Sequence, residues 1–214
     1  MKITAKVKLD AGFNRKFHKD VLTELSKTIK RKAELIKVDI LGDLRKYVKE
    51  ALTGTPEYQS LTHGKLRGEL GITEADSRAS AIVDTWVNSI SVNVKAATKP
   101  FLTIDIGAIK QDYQDVLSLP VSSYKTEKGE PIPWLSWLLL EGDKRIIRKY
   151  EFTGNITRNS RTGQGIMIRK KKAFWQVPPE FSGTSTNNFV TRGLQDIEAE
   201  IDLIVEKAIK GNLK

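Results

Sequence analysis

Ten cations crowd one stretch of the chain: Lys144, Arg145, Arg148, Lys149, Arg158, Arg161, Arg169, Lys170, Lys171 and Lys172. Glu151 is the only acid among them, so this stretch carries +9 of a net charge of +10. Phosphate is the chemistry such a block suits, because each phosphate it neutralises releases a counterion. The same charges also suit a solvated hairpin, where lysines keep an edge strand from pairing with another chain. The residue types leave both readings open.

Catalytic chemistry has little material. The chain has no cysteine, which excludes a disulfide scaffold, a thiolate-ligated metal and a thiol nucleophile. Its two histidines, His18 and His63, do not supply a His-rich metal centre or a His-based triad. Glu141, Asp143 and Asp105 are the carboxylates that could work as an acid–base pair, yet their spacing brings no two of them together. Gly163-x-Gly165 falls between expected hairpin strands and opens no helix, so it lacks the frame of a phosphate cradle. The expectation is a protein without catalytic residues, cofactor or metal.

Aromatic residues flank the basic block. Trp134, Trp137, Phe174 and Trp175 could stack on bases. Trp134 and Trp137 stand inside an apolar run, however, and with Leu138 they are assigned to the core or to a subunit seam.

These residues need a scaffold. The chain has 214 residues, 39% hydrophobic and 29% charged, enough to bury a core and expected to form one α+β domain, 1–214. Its most apolar stretch, Pro133–Leu140, is far short of the ~20 residues of a membrane span, and the charged N-terminus has no signal-like run. A soluble protein made in a cytoplasm, with no membrane partner, is expected.

Alternation predicts a strand over Lys2–Leu9. Apolar residues from Phe13 to Leu52 recur at steps of three and four, predicting one long amphipathic helix or two in tandem. Gly54 is expected to supply a left-handed cap, and Pro56 to prevent continuation. An unbroken helix would be about 55–60 Å long, which suggests packing against neighbouring subunits. Pro56–Gly71 reads as a loop or short helix. A helix from about Thr73 gives way to a strand near Ser89–Val94, and Phe101–Ile109 is a further strand.

Residues 112–129 look irregular, and 131–142 suit a short buried helix or strand. Arg145–Ile156 and Gly165–Arg169 are expected to pair as a protruding basic β-hairpin, an extension at about 144–172. Phe174–Pro179 is a strand stopped by prolines, and Asn187–Lys210 is one closing helix. The two long helices are expected to pack on a mostly antiparallel sheet.

Several short segments, in order, resemble the neck and tail-completion (head–tail joining) proteins of tailed bacteriophages. Thr55-Pro56 followed by Thr62-His63-Gly64-Lys65-Leu66-Arg67 is similar to that family's Thr-Pro…Thr-Gly-x-Leu-Arg segment, with His63 in place of the usual Asp or Thr. Trp134–Gly142 stands where the family has an aromatic-rich strand ending in Glu-Gly. Val177–Leu194 is similar to the family's Pro-Phe-x-x-Arg-Ala-Leu lead-in to the last helix, and Ser160–Met167 resembles a hairpin of its myovirus-type members. A stretch of about Thr73–Val87 departs from the pattern as an insertion.

The resemblance implies a structural virion protein, assembled in the host cytoplasm into a ring around the DNA channel where head meets tail. Its implied partners are itself, in rings of about six or twelve copies, and adjoining connector, portal-side or tail-tube proteins, with contact to genomic DNA. A head-side connector and a tail terminator both remain open. The basic hairpin would dock on an adjoining ring or face the DNA. The competing class is a free basic nucleic-acid-binding module that grips phosphates in solution.

Overall fold

The computed structural model describes residues 2–8, 15–96, 101–107, 113–125, 131–142, 144–153 and 166–212. The fold is α+β with a long N-terminal helix, and its strands pair antiparallel throughout the described residues. In chain order the elements are β1 (Lys2–Lys8), α1 (Arg15–Thr53), α2 (Pro56–His63), α3 (Lys65–Leu70), α4 (Ala75–Ser89), β2 (Ser91–Ala96) and β3 (Phe101–Gly107). There follow α5 (Gln114–Leu117), a 3-10 turn at Pro120–Ser122, β4 (Tyr124–Lys125), β5 (Pro131–Ile132) and α6 (Trp134–Leu139). The chain ends with β6 (Ile147–Thr153), β7 (Ile166–Trp175), α7 (Phe189–Gly193) and α8 (Ile197–Asn212). Contacts group it into two compact units, Met1–Val48 with Val87–Ile109 and Asp196–Lys214, and Lys49–Trp86 with Lys110–Gln195.

In the first unit β1, β3 and β2 form a sheet in that order, with Ile106 opposite both Ile3 and Val92. Val92, Ile104 and Ile106 are buried, and on the alternate positions Lys95 pairs with Asp105 at 3.5 Å. That alternation buries one face of the sheet and leaves the other polar. Along α1, Ile36, Ile40, Leu44 and Val48 are buried at steps of four, and Ile197, Ile201, Ile204, Val205 and Ala208 are buried along α8. Lys207 Nζ lies 2.8 Å from Asp43, and Asn212 Nδ2 donates to Asp39 at 2.7 Å. Since the numbering falls on α8 as it rises on α1, the two helices run antiparallel.

The long helix is single, 39 residues or about 58 Å. Its end differs from expectation. Gly54 does not take the left-handed conformation, which among the described glycines belongs to Gly71, the C-cap of α3 at φ 61°. The last carbonyls of α1 are met by hydroxyls instead: Thr53 Oγ1 donates to Lys49 O at 2.8 Å, and Thr55 Oγ1 to Leu52 O at 2.8 Å. Thr55 then caps α2 by accepting from Tyr58 N, with Pro56 at the first helical position, where its missing N–H costs nothing.

The second unit gathers around Trp86, which meets Phe189 and Tyr113 edge-to-face at ring distances of 5.6 and 6.5 Å. Trp134, Leu135, Leu138 and Leu139 turn the apolar run 131–142 into a buried helix, and Trp134 Nε1 donates to Val121 O at 2.9 Å. Two further expectations need correction. Residues 56–71 are two short helices, split at Gly64, where a Cβ would come within 2.8 Å of Ser60 Cα. The closing helix is also two, because Leu194 leaves helical geometry (φ −106°, ψ 20°) before α8 begins.

Candidate functional site

The basic ribbon is β6 paired with β7. Ile147 faces Trp175 and Arg148 faces Phe174, and beyond them Tyr150 to Thr153 face Arg169 back to Ile166. Phe174 and Trp175, expected to start a separate strand, complete β7. Between the two blocks lies an irregularity in which Lys149 alone stands against the four residues Lys170 to Ala173. Lys149 adopts a left-handed φ of 68°, a conformation that costs a non-glycine residue about 1 kcal/mol or more. Such bulges bend a ribbon and re-aim its side chains, and this one holds the lysine triplet.

Lys144, Arg145, Arg148, Lys149, Arg169, Lys170, Lys171 and Lys172 are all exposed. Lys144 pairs with Glu141 at 3.2 Å, and the Arg145 guanidinium sits 4.4 Å from the centre of the Phe174 ring, a cation–π contact. Among the described residues Arg148, Lys149, Arg169, Lys171 and Lys172 have no carboxylate partner. Arg158 and Arg161, with the Gly163-x-Gly165 segment, lie outside the described residues. Six of the ten expected cations thus lie on one ribbon, with Lys144 and Arg145 just before it, and five of them have no carboxylate partner among the described residues.

The base of the ribbon is anchored on Glu69, a residue the sequence did not single out. Trp175 is buried, its indole N–H donates to Glu69 Oε2 at 2.9 Å, and its ring lies 5.9 Å from that of Trp137. The Glu69 side chain is only 7% exposed, with Lys65 Nζ 3.8 Å away. Burial pushes the Glu69 carboxyl above the usual carboxylate range, against the opposing pull of the Trp175 N–H and Lys65. Trp137 is half-buried, whereas Trp134 and Leu138 are in the core of the second unit.

A second cluster joins distant segments of the same unit. Glu57, 3% exposed in its side chain, accepts from Arg192 Nε at 3.0 Å and again from Arg192 Nη2. Arg192 Nη1 also donates to Ser182 O and to Asn187 Oδ1, at 3.3 and 2.9 Å. Asn188, fully buried, donates to Leu139 O and Thr184 O while its Oδ1 caps α7 by accepting from Val190 N and Thr191 N. Gly142 N donates to Gly183 O at 3.0 Å, and a Cβ on Gly183 would fall 2.0 Å from Leu138 O. A cleft of about 370 Å³ beside this cluster is lined by Thr55, Pro56, Glu57, Glu180, Arg192 and Gly193. The hydrogen-bonding capacity of Arg192 is spent on the protein, so the cluster acts as a clamp.

The remaining candidates do not converge. His63 is exposed, with Nδ1 2.8 Å from Thr62 Oγ1 and Nε2 3.9 Å from Asp76. The Thr62 hydroxyl is buried and donates to Tyr58 O, so that trio has no accessible nucleophile. Asp105 belongs to the first unit beside Lys95, and Glu141 to the second beside Lys144; Asp143 lies outside the described residues, as does the side chain of His18. Among the described residues no three His, Asp or Glu side chains group to hold a metal, and no helix is long and apolar enough to cross a membrane. Comparison with family models, curated proteins and solved structures finds no match to this chain.

Proposed function

We propose that the chain is a structural protein of a tailed-phage virion, a subunit of a ring in the neck around the DNA channel. In this reading it is a head–tail connector, a tail-completion protein or a terminator, non-catalytic and assembled in the host cytoplasm. One observation carries the proposal. The segments that resemble the neck family, Thr55–Arg67, Trp134–Gly142 and Val177–Leu194, are distant in sequence yet lock onto one another. Glu57 to Arg192 joins the first to the third, and Asn188 to Leu139 O with Gly142 N to Gly183 O joins the second to the third. The basic ribbon then serves as the part that docks on an adjoining ring or meets DNA.

The test is charge reversal on the ribbon. A variant with Arg169→Glu, Lys170→Glu, Lys171→Glu and Lys172→Glu should keep its fold by circular dichroism and fail to support head–tail joining. Normal infectious particles from that variant would contradict the assigned role.

The five cations with no carboxylate partner among the described residues favour one alternative, a free nucleic-acid-binding module. Fluorescence anisotropy with duplex DNA separates the two. Sub-micromolar binding by the isolated monomer, weakening steeply between about 50 and 200 mM salt, supports the module.

A further inference from the structure

We propose that the outward side of the α1/α8 helix pair in the first unit is an interface between two copies of this chain. Leu35 and Val38 on α1 are 57% and 62% exposed, and Leu203 on α8 is 59% exposed. At 100° per residue, Leu35, Val38 and Gly42 form a stripe pointing away from the buried Ile36, Ile40 and Leu44. Leu203 and Ala199 do the same relative to Ile201, Ile204 and Val205. The pairs Asp43–Lys207 and Asp39–Asn212 set the register, so the two stripes are offset along the antiparallel pair, with Leu203 level with about residue 47 and Val38 level with the end of α8.

Gly42 gives an independent indication. Glycine in a helix interior is unfavourable relative to alanine. A Cβ at Gly42 would meet nothing within 4 Å, so the fold of a single copy does not require glycine there. Close approach of a second helix does require it.

Charge selects the occupant. Residues 30–46 of α1 carry six cations and three acids, and residues 197–212 of α8 carry four acids and two cations. The helices are therefore oppositely charged, and α1 of one copy prefers α8 of the other over a second α1. A two-fold axis that lays the α1 stripe of one copy on the α8 stripe of the other makes each α1–α8 contact twice, as a self-complementary interface demands. This inference goes beyond the ring proposal and does not depend on it.

The experiment is sedimentation equilibrium of the full chain at rising concentration, with thermal melting as a check on folding. The wild type should be dimeric in the micromolar range. Val38→Glu and Leu203→Glu should each weaken association about ten-fold or more with melting no lower than that of undimerised wild type. Gly42→Leu should weaken association without unfolding the monomer, because its side chain has open space. A wild type monomeric up to about 100 µM, or variants that associate as the wild type does, would overturn the proposal. Copy number in virions, which tests the ring, is a separate readout.

Discussion

Arg192 closes over Glu57 across 135 residues of sequence, with two guanidinium N–H groups on one carboxylate oxygen. The Glu57 side chain is 3% exposed and that of Arg192 35%. Two charges held this way need each other: removing one leaves the other desolvated and unpaired, which costs far more than the intact pair contributes. The same arginine ties down Ser182 and Asn187, so this contact fixes how the lead-in to α7 meets the start of α2.

Arg192→Met should accordingly destabilise the second unit by about 3 kcal/mol or more. Urea unfolding measures it, and a loss below about 1 kcal/mol would show that solvent already screens the pair. Pairing Arg192→Met with Glu57→Leu should recover part of the loss, because no buried charge is then left alone.

Asn188 offers a sharper substitution. Its Nδ2 donates to the carbonyls of Leu139 and Thr184, and Asn188→Asp would turn that donor into a second acceptor facing them. The expected cost is about 2 kcal/mol or more at neutral pH, shrinking on acidification as the aspartate takes up a proton. A variant as stable as the wild type at pH 7 would contradict the hydrogen-bond assignment.

Gly183 tests the backbone contact beside it. A methyl group there would lie 2.0 Å from Leu138 O and 2.8 Å from Asn188 Cβ, so the chain must shift to admit it. Gly183→Ala should cost about 1–3 kcal/mol in thermal or urea unfolding. Stabilisation by the usual entropic gain of Gly→Ala would rule the close approach out.

Glu69 predicts a pH effect. Burial raises its carboxyl in the folded state, so between its ordinary value of about 4.3 and the raised one the native state holds more protons than the unfolded state. Its contribution to stability therefore falls as pH rises through that window and is regained on acidification. Lys65 and the Trp175 N–H oppose the shift, and Glu180 reinforces it. Glu69→Gln keeps an acceptor for Trp175 and removes the charge. The difference in melting temperature between variant and wild type should favour the variant most near neutral pH and narrow as pH falls toward 4.3. A difference constant with pH would exclude this origin.

Elements with a long repeat were legible in the sequence. α1 follows apolar steps of three and four over some forty residues, and β1, β2 and β3 follow alternation; no single local choice can disturb signals of that length. Short apolar runs were ambiguous: residues 131–142 fit a helix or a strand equally well until Trp134 found Val121 O and Leu138 the core. The break at Leu194 carries no proline, and the bulge at Lys149 leaves no trace in residue type. The cations of the ribbon could be named in advance because charge needs no partner to be seen. Glu69 with Trp175, and Glu57 with Arg192, lie 106 and 135 residues apart, and nothing in one sequence couples them. The four passages of the chain between its two units likewise leave no linker to read.

The ring proposal is tested most directly by counting copies of this chain in purified virions, using quantitative mass spectrometry calibrated against the portal protein. A few copies per particle, in a ring-like multiple on the order of six or twelve, is the predicted result. Absence from the particle would contradict the structural role and leave the free nucleic-acid-binding module as the better account, while hundreds of copies would move the chain from the neck to the tail tube or capsid.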